Sequence, residues 1–186
     1  MATSEDHLVK QCLEGNDAAW STIVHSYARS ILGMSRRFAG RPDQAEELAQ
    51  DIFLRVYQSL HKYRLGEDSF RPWLWRIARN LLIDHCRKTR RHRESSIDSV
   101  DGWNFRDERS PDPLRSVLQN EAVENFRRSL SRLPAICQEA MMLRSFYGLQ
   151  YQEVAAILDI TEGTVKSRIH RGRRELARLL AQQRAS

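Results

Sequence analysis

Tyr151–Leu180, YQEVAAILDITEGTVKSRIHRGRRELARLL, decides how this chain folds. Val154, Ala155 and Leu158 give its first half an apolar face at helical spacing. Asp159-Ile160-Thr161 interrupts that pattern, and Thr161 or Glu162 caps the next start. Val165, Ile169, Leu176 and Leu180 then continue one buried stripe. Off the stripe stand Lys166, Ser167, His170, Arg171, Arg173 and Arg174. Two helices around a tight turn are predicted, the second apolar on one side and rich in donors and cations on the other. A helix lying in the major groove of DNA needs that division, because phosphates want cations and base edges are read by hydrogen bonds. Asp159 stands where many such turns carry Gly, which implies a different turn conformation. From Gly163 to Ser186 the cations are Lys166, Arg168, Arg171, Arg173, Arg174, Arg178 and Arg184, against Glu175 alone. A merely solvated helix mixes its signs, so the imbalance points to a polyanion.

The chain of 186 residues suits one large domain or two small ones, and its net charge of +6 fits a nucleic-acid partner. Cys12, Cys86 and Cys137 lie far apart, so neither a disulfide framework nor a four-ligand zinc site is expected. They are read as small buried hydrophobes. His85-Cys86 has no further ligand at a useful spacing, and no metal or cofactor is expected. MATSEDHLVKQ is acidic and polar, unlike a signal peptide, and no apolar run reaches the ~20 residues of a membrane span. A soluble, cytoplasmic protein is expected.

Upstream, the periodicity predicts helices over Asp6–Glu14, Asp17–Phe38, Pro42–Tyr63 and Phe70–Arg93, broken at Gly15-Asn16, Gly40-Arg41-Pro42 and Leu65-Gly66-Glu67-Asp68. Trp20, Ile23, Val24, Tyr27, Ile31 and Met34 form one stripe; Leu48, Ile52, Val56 and Leu60 form another, with Phe53 and Tyr57 beside them. After a polar stretch, helices over Ser116–Leu133 and Ala135–Phe146 follow, the latter with Ile136, Ala140, Leu143 and Phe146 inward. No strand pattern competes. The predicted fold is all-α: two small helical domains, residues 1–93 and 116–183, joined by a flexible acidic linker over 94–115.

That linker, ESSIDSVDGWNFRDERSPDPLR, carries Asp98, Asp101, Asp107, Glu108 and Asp112. Its two large apolar side chains, Trp103 and Phe105, either dock onto a domain or insert into a partner's groove.

Two further surfaces of opposite sign stand in the first domain. From Arg76 to Arg93 the cations are Arg76, Arg79, Arg87, Lys88, Arg90, Arg91 and Arg93 against Asp84 alone. Tyr63, Phe70, Trp73 and Trp75 precede them, and cations beside aromatics suit single-stranded nucleic acid. Trp73, Ile77 and Leu81 are expected to form the buried face of that helix, with some of the aromatic rings buried and others at the surface. Asp43, Glu46, Glu47 and Asp51, with Gln44 and Gln50, offer an acidic surface to a basic protein partner. No nucleophile–base pair or metal-ligand set stands out, so an enzyme is not expected.

PDQAEELAQDIFLRVYQSLHKYR, SFRPWLWRIARNLLIDHCRKTRR and LPAICQEAMMLRSFYGLQYQEVAAILDITEGTVKSRIHRGRRELARLL, in that order, resemble a bacterial extracytoplasmic-function sigma factor. The resemblance covers nearly the whole chain, with a region 2 domain, a linker and a region 4 domain. It implies that Gln44, Glu46, Glu47, Leu48, Gln50, Asp51 and Phe53 grip the clamp helices of core RNA polymerase. It implies that the loop from Arg64 to Ser69 and the following helix read the melted minus-ten element, with Asn80, Asp84, Arg87 and Lys88 on the matching surface. Unstacking a base costs a few kcal/mol, which stacking in a preformed pocket offsets. It further implies that Thr164, Lys166, Ser167, His170, Arg171 and Arg174 read the minus-thirty-five duplex, and that an anti-sigma factor covers both domains. The linker would thread toward the polymerase active site and RNA-exit path. An autonomous helix-turn-helix regulator is the alternative; it explains only the C-terminal half and leaves Arg76–Arg93 without a role.

Overall fold

A Gly-Asn step and an Arg-Pro step set the starts of the second and third helices. In the computed structural model, which describes residues 4–39, 41–67, 69–92 and 117–184, Asn16 caps the second helix. Its side-chain oxygen accepts from the backbone N–H groups of Ala18 (3.0 Å) and Ala19 (3.2 Å). Arg41 is extended ahead of Pro42, which takes the first helical position, where a missing N–H costs nothing. The first unit, residues 1–95, comprises α1 (Ser4–Leu13), α2 (Asp17–Phe38), α3 (Pro42–Ser59), a 3-10 turn (Leu60–Lys62) and α4 (Phe70–His92). The second, residues 96–186, comprises α5 (Val117–Ser131), α6 (Ala135–Met141), a π-helical turn (Met142–Phe146), α7 (Tyr151–Leu158) and α8 (Glu162–Arg184). There is no strand among the described residues. The class is all-α. The linker over 94–115, with Trp103 and Phe105, lies outside the described residues.

In the first unit α2 packs on α1, α3 and α4. Its core holds Ile23, Ile31, Met34, Ile52, Val56, Phe70, Leu74, Trp75 and Leu82. The expected buried face of α4 is displaced by one residue: Leu74, Ala78 and Leu82 are fully buried, while Trp73, Ile77 and Leu81 are half-buried. Both sets recur at four-residue steps, and packing against α2 and α3 selects the first.

The second unit is built around α6, with α8 packed on α5, α6 and α7. Every residue from Cys137 to Leu143 is buried, so α6 has no outer face beyond its first two residues. Ile136 (41 % exposed) and Phe146 (50 % exposed), expected inward, instead point outward at the two ends of this segment. Gln138 is tolerated inside because its amide donates to the carbonyls of Leu133 (2.7 Å) and Ser131 (3.2 Å), satisfying the end of α5.

The turn between α7 and α8 departs from expectation in the opposite sense. Asp159 adopts the left-handed conformation (φ 54°, ψ 50°) that Gly would take, and its N–H and that of Ile160 both donate to the Ala155 carbonyl. The turn is therefore of the usual kind, with Asp, which tolerates this region better than most residues, in place of Gly. Ile157 is buried with Val154, whereas Ala155 and Leu158 are half-buried. On α8 the inward stripe is Val165, Ile169, Gly172, Leu176 and Leu179, with Leu180 only partly covered.

Gly172 lets α8 approach α6. A Cβ there would lie 2.3 Å from Met141 Sδ and 3.3 Å from Cys137 Cβ. Gly172→Ala is expected to be mild, because shifting Met141 is offset by a helix-propensity gain of about 1 kcal/mol. Gly172→Leu should destabilise the second unit by about 1–3 kcal/mol through overpacking. A melting temperature equal to wild type in Gly172→Leu would show that the two helices separate without cost.

Candidate nucleic-acid interface

The geometry of α8 follows from its buried stripe. Each residue turns the helix by about 100°, so with Val165, Ile169 and Gly172 inward, Ser167, His170 and Arg174 face directly outward, and all three are exposed. Lys166 and Arg173 flank them on one side, Arg171 and Arg178 on the other, again exposed. The structure thus brings Lys166, Ser167, His170, Arg171 and Arg174 onto one face. Thr164 differs. It is half-buried at the start of the helix, its N–H donating to the hydroxyl of the capping Thr161 (3.2 Å) and its own hydroxyl 2.9 Å from the same oxygen. Ser167 donates its hydroxyl to the Thr164 carbonyl (2.9 Å), which leaves the oxygen free to accept.

Lys166 is held in place rather than loose. Its Nζ lies 2.6 Å from Glu162 Oε1 and 5.6 Å from the centroid of the Tyr151 ring. The hydrogen bond and charge of Glu162 raise its pKa above the usual lysine value. Arg144 approaches the same ring at 5.1 Å. At the other end Glu175 receives Arg178 through two hydrogen bonds (3.0 and 2.6 Å), which occupies the anion within the cationic run.

In the first unit a groove of about 730 Å³ runs between α3 and α4. Asn80, Asp84 and Lys88 line it from α4, and Asp51 and Arg55 from α3. Sequence reasoning placed Asp51 and the α4 residues on separate surfaces; the fold joins them. Arg87 stands beside Asp84, 4.0 Å from its carboxylate. His85 also lines the groove, and burial, aided by the charge of Lys88, pushes its pKa down, while Asp51 opposes that shift. Of the expected aromatic platform, Tyr63, Phe70 and Trp75 are buried and only Trp73 reaches the groove. The first three serve the core; Tyr63 and Phe70 meet edge to face at 5.7 Å.

The seven residues assigned to the acidic helix divide three ways. Gln44, Glu47 and Asp51 recur on one flank of α3, and Glu46 and Gln50 on the other; Glu46, Glu47, Gln50 and Asp51 are exposed. Leu48 is 4 % exposed and belongs to the core. Phe53 is half-buried with its ring 6.3 Å from Trp20. Leu48 holds the helix in place and offers no surface, while Phe53 keeps part of its ring exposed. Leu54, 55 % exposed on the groove rim, was missed, although its position three residues after Asp51 puts it on the same outer side. Among the described residues no group of three or more His, Cys, Asp or Glu is placed to hold a metal, and no helix is long and apolar enough to cross a membrane. Cys12 and Cys137 are buried, which pushes both thiols up.

The family pattern for sigma-70 region 2 matches residues 23–92, and that for sigma-70 region 4 matches residues 124–176. The chain is 30 % identical over 181 residues to the RNA polymerase sigma-H factor of Pseudomonas aeruginosa, covering 95 % of this chain and 93 % of that protein. It is 30 % identical over 177 residues to the ECF RNA polymerase sigma factor SigW of Bacillus subtilis, covering 92 % and 94 %. Among solved structures, the sigma factor RpoE of Bartonella quintana, crystallised with the anti-sigma factor NepR, superposes with a TM-score of 0.66 at 25 % identity, covering 87 % of this chain and 96 % of that one. With both sigma regions in order and relatives matched over more than nine-tenths of their own length, the chain belongs to the extracytoplasmic-function sigma factors and is an alternative sigma factor of transcription initiation.

Proposed function

We propose that the two units divide promoter recognition between them. The first binds core RNA polymerase through the polar residues of α3, Gln44, Glu46, Glu47, Gln50 and Asp51. It reads the melted minus-ten strand through the loop after Tyr63 and through Asn80, Asp84, Arg87 and Lys88. The second reads the minus-thirty-five duplex through Lys166, Ser167, His170, Arg171 and Arg174. Thr164 there acts through the helix cap. The protein works in the cytoplasm and contributes recognition and melting, while bond formation stays with the polymerase. An anti-sigma factor, the kind of partner with which the Bartonella quintana relative was crystallised, holds it inactive.

The observation that carries this reading is the outward face of α8, where Ser167, His170 and Arg174 stand between two cationic flanks opposite a continuous buried stripe. Run-off transcription with purified core polymerase on a library of genomic promoters tests it. Transcripts that depend on this protein and share a two-part upstream element are expected. Tight duplex binding by the protein alone, with no core binding and no transcript, would instead establish an autonomous regulator.

A further inference from the structure

The N-terminal helix carries two carboxylates that have no part in the assignments above. Asp6 is 4 % exposed, unusual for an acid in the first turn of a surface helix. A buried carboxylate is costly without hydrogen-bond donors. Asp6 accepts the Tyr63 hydroxyl at 2.6 Å, within the range of a charge-assisted bond. Its neighbour Glu5 accepts the Tyr27 hydroxyl. Both tyrosine rings pack on Phe70, Tyr27 at 6.2 Å and Tyr63 at 5.7 Å. Tyr63 also touches Trp73, with centroids 5.4 Å apart, and Trp73 lines the groove beside Asn80.

Tyr63 and Phe70 thus bracket the loop, and α1 fixes Tyr63 by its hydroxyl. From this geometry we infer that Asp6 and Tyr63 are positioning residues for minus-ten recognition, acting through the Trp73 ring on the groove that Asn80 lines. This rests on the proposed reading of the minus-ten strand by that groove. The bond orients a flat ring in one rotamer; without it the ring keeps its apolar contacts but loses this directional restraint, and Trp73 is left with a less firmly held neighbour.

The test uses holoenzyme assembled from the full chain and core polymerase, with a single-stranded oligonucleotide carrying the minus-ten sequence found by run-off transcription. Tyr63→Phe keeps the ring and removes the hydroxyl. It and Asp6→Leu are each expected to weaken oligonucleotide binding about tenfold, a loss of roughly 1.4 kcal/mol. Asp6→Asn keeps an acceptor for the hydroxyl and is expected to recover most of the affinity. Core affinity and minus-thirty-five duplex binding should stay at wild-type values in all three, which a purely structural role for α1 would not produce. Asn80→Ala serves as reference. If Asn80→Ala weakens binding and Tyr63→Phe does not, the positioning role is overturned and the minus-ten assignment stands. If neither changes binding, both are overturned. A parallel loss of core affinity in Tyr63→Phe also overturns the positioning role, leaving Asp6 a fold-stabilising residue.

Discussion

Glu47→Lys combined with Asp51→Lys is expected to abolish binding to core RNA polymerase while leaving the helical fold in place. The two side chains are exposed on one flank of α3, one helical turn apart and clear of the buried Ala45, Leu48, Ala49, Ile52 and Val56. Replacing two anions by two cations converts attraction toward a basic partner into repulsion, and like-charge contacts across an interface are strongly disfavoured. A loss of about a hundredfold or more is expected in a core-binding assay. Folding should change little, since exposed substitutions usually stay within about 0.5 kcal/mol. The one local consequence is in the groove, where Asp51 at present favours the charged form of His85. A lysine there should push the His85 pKa further down, and an NMR titration of that imidazole would register the change. Since the folded-state pKa of His85 already lies below its ordinary value, stability associated with it is present above the unfolded pKa and declines as pH falls through that range. The variant steepens that decline. Wild-type core affinity in the double variant would remove α3 as the clamp contact.

How much of this was legible beforehand varies with the type of signal. Helix starts marked by backbone chemistry were read correctly: α2 spans Asp17–Phe38 as expected, because Gly15-Asn16 ends one helix and caps the next. The outward face of α8 was equally legible, since its apolar residues occupy one stripe and its cations avoid it. The phase of α4 was not. FRPWLWRIARNLL carries two adjacent apolar series at the same period, and only the packing partners choose between them. Ile136 and Phe146 were assigned inward by period alone, but the run between them, residues 137–143, is enclosed on all sides, and a segment without an outer face has no period to read. Leu48, buried in the core, entered the acidic surface because a family motif is contiguous in sequence, whereas a helix distributes contiguous residues around its axis. The bond between Asp6 and Tyr63 had no sequence signal. It joins residues 57 positions apart, and neither alone departs from what a surface helix or a loop would carry.

Lys166→Ala and Arg171→Ala are each expected to weaken holoenzyme binding to a duplex bearing only the minus-thirty-five element, by about ten- to a hundredfold for Arg171, where a base contact is lost, and by less for Lys166. The two should differ in kind. Lys166 is pinned by Glu162 and lies near the Tyr151 ring, so its removal deletes a cation and also leaves Glu162 without this partner near the DNA. Its loss should therefore weaken binding to all sequences and reduce the salt dependence by about one phosphate contact. Arg171 lies on the opposite flank of the outward face, and a guanidinium there has the two-pronged geometry that matches guanine O6 and N7. Its loss should relax discrimination at one base pair and change the salt slope less. Because the two side chains sit on different flanks, their effects on binding should add in the double variant. Binding measured across a salt series on matched and single-substituted duplexes separates the two roles. Unchanged affinity in both variants would exclude α8 as the element that reads the duplex.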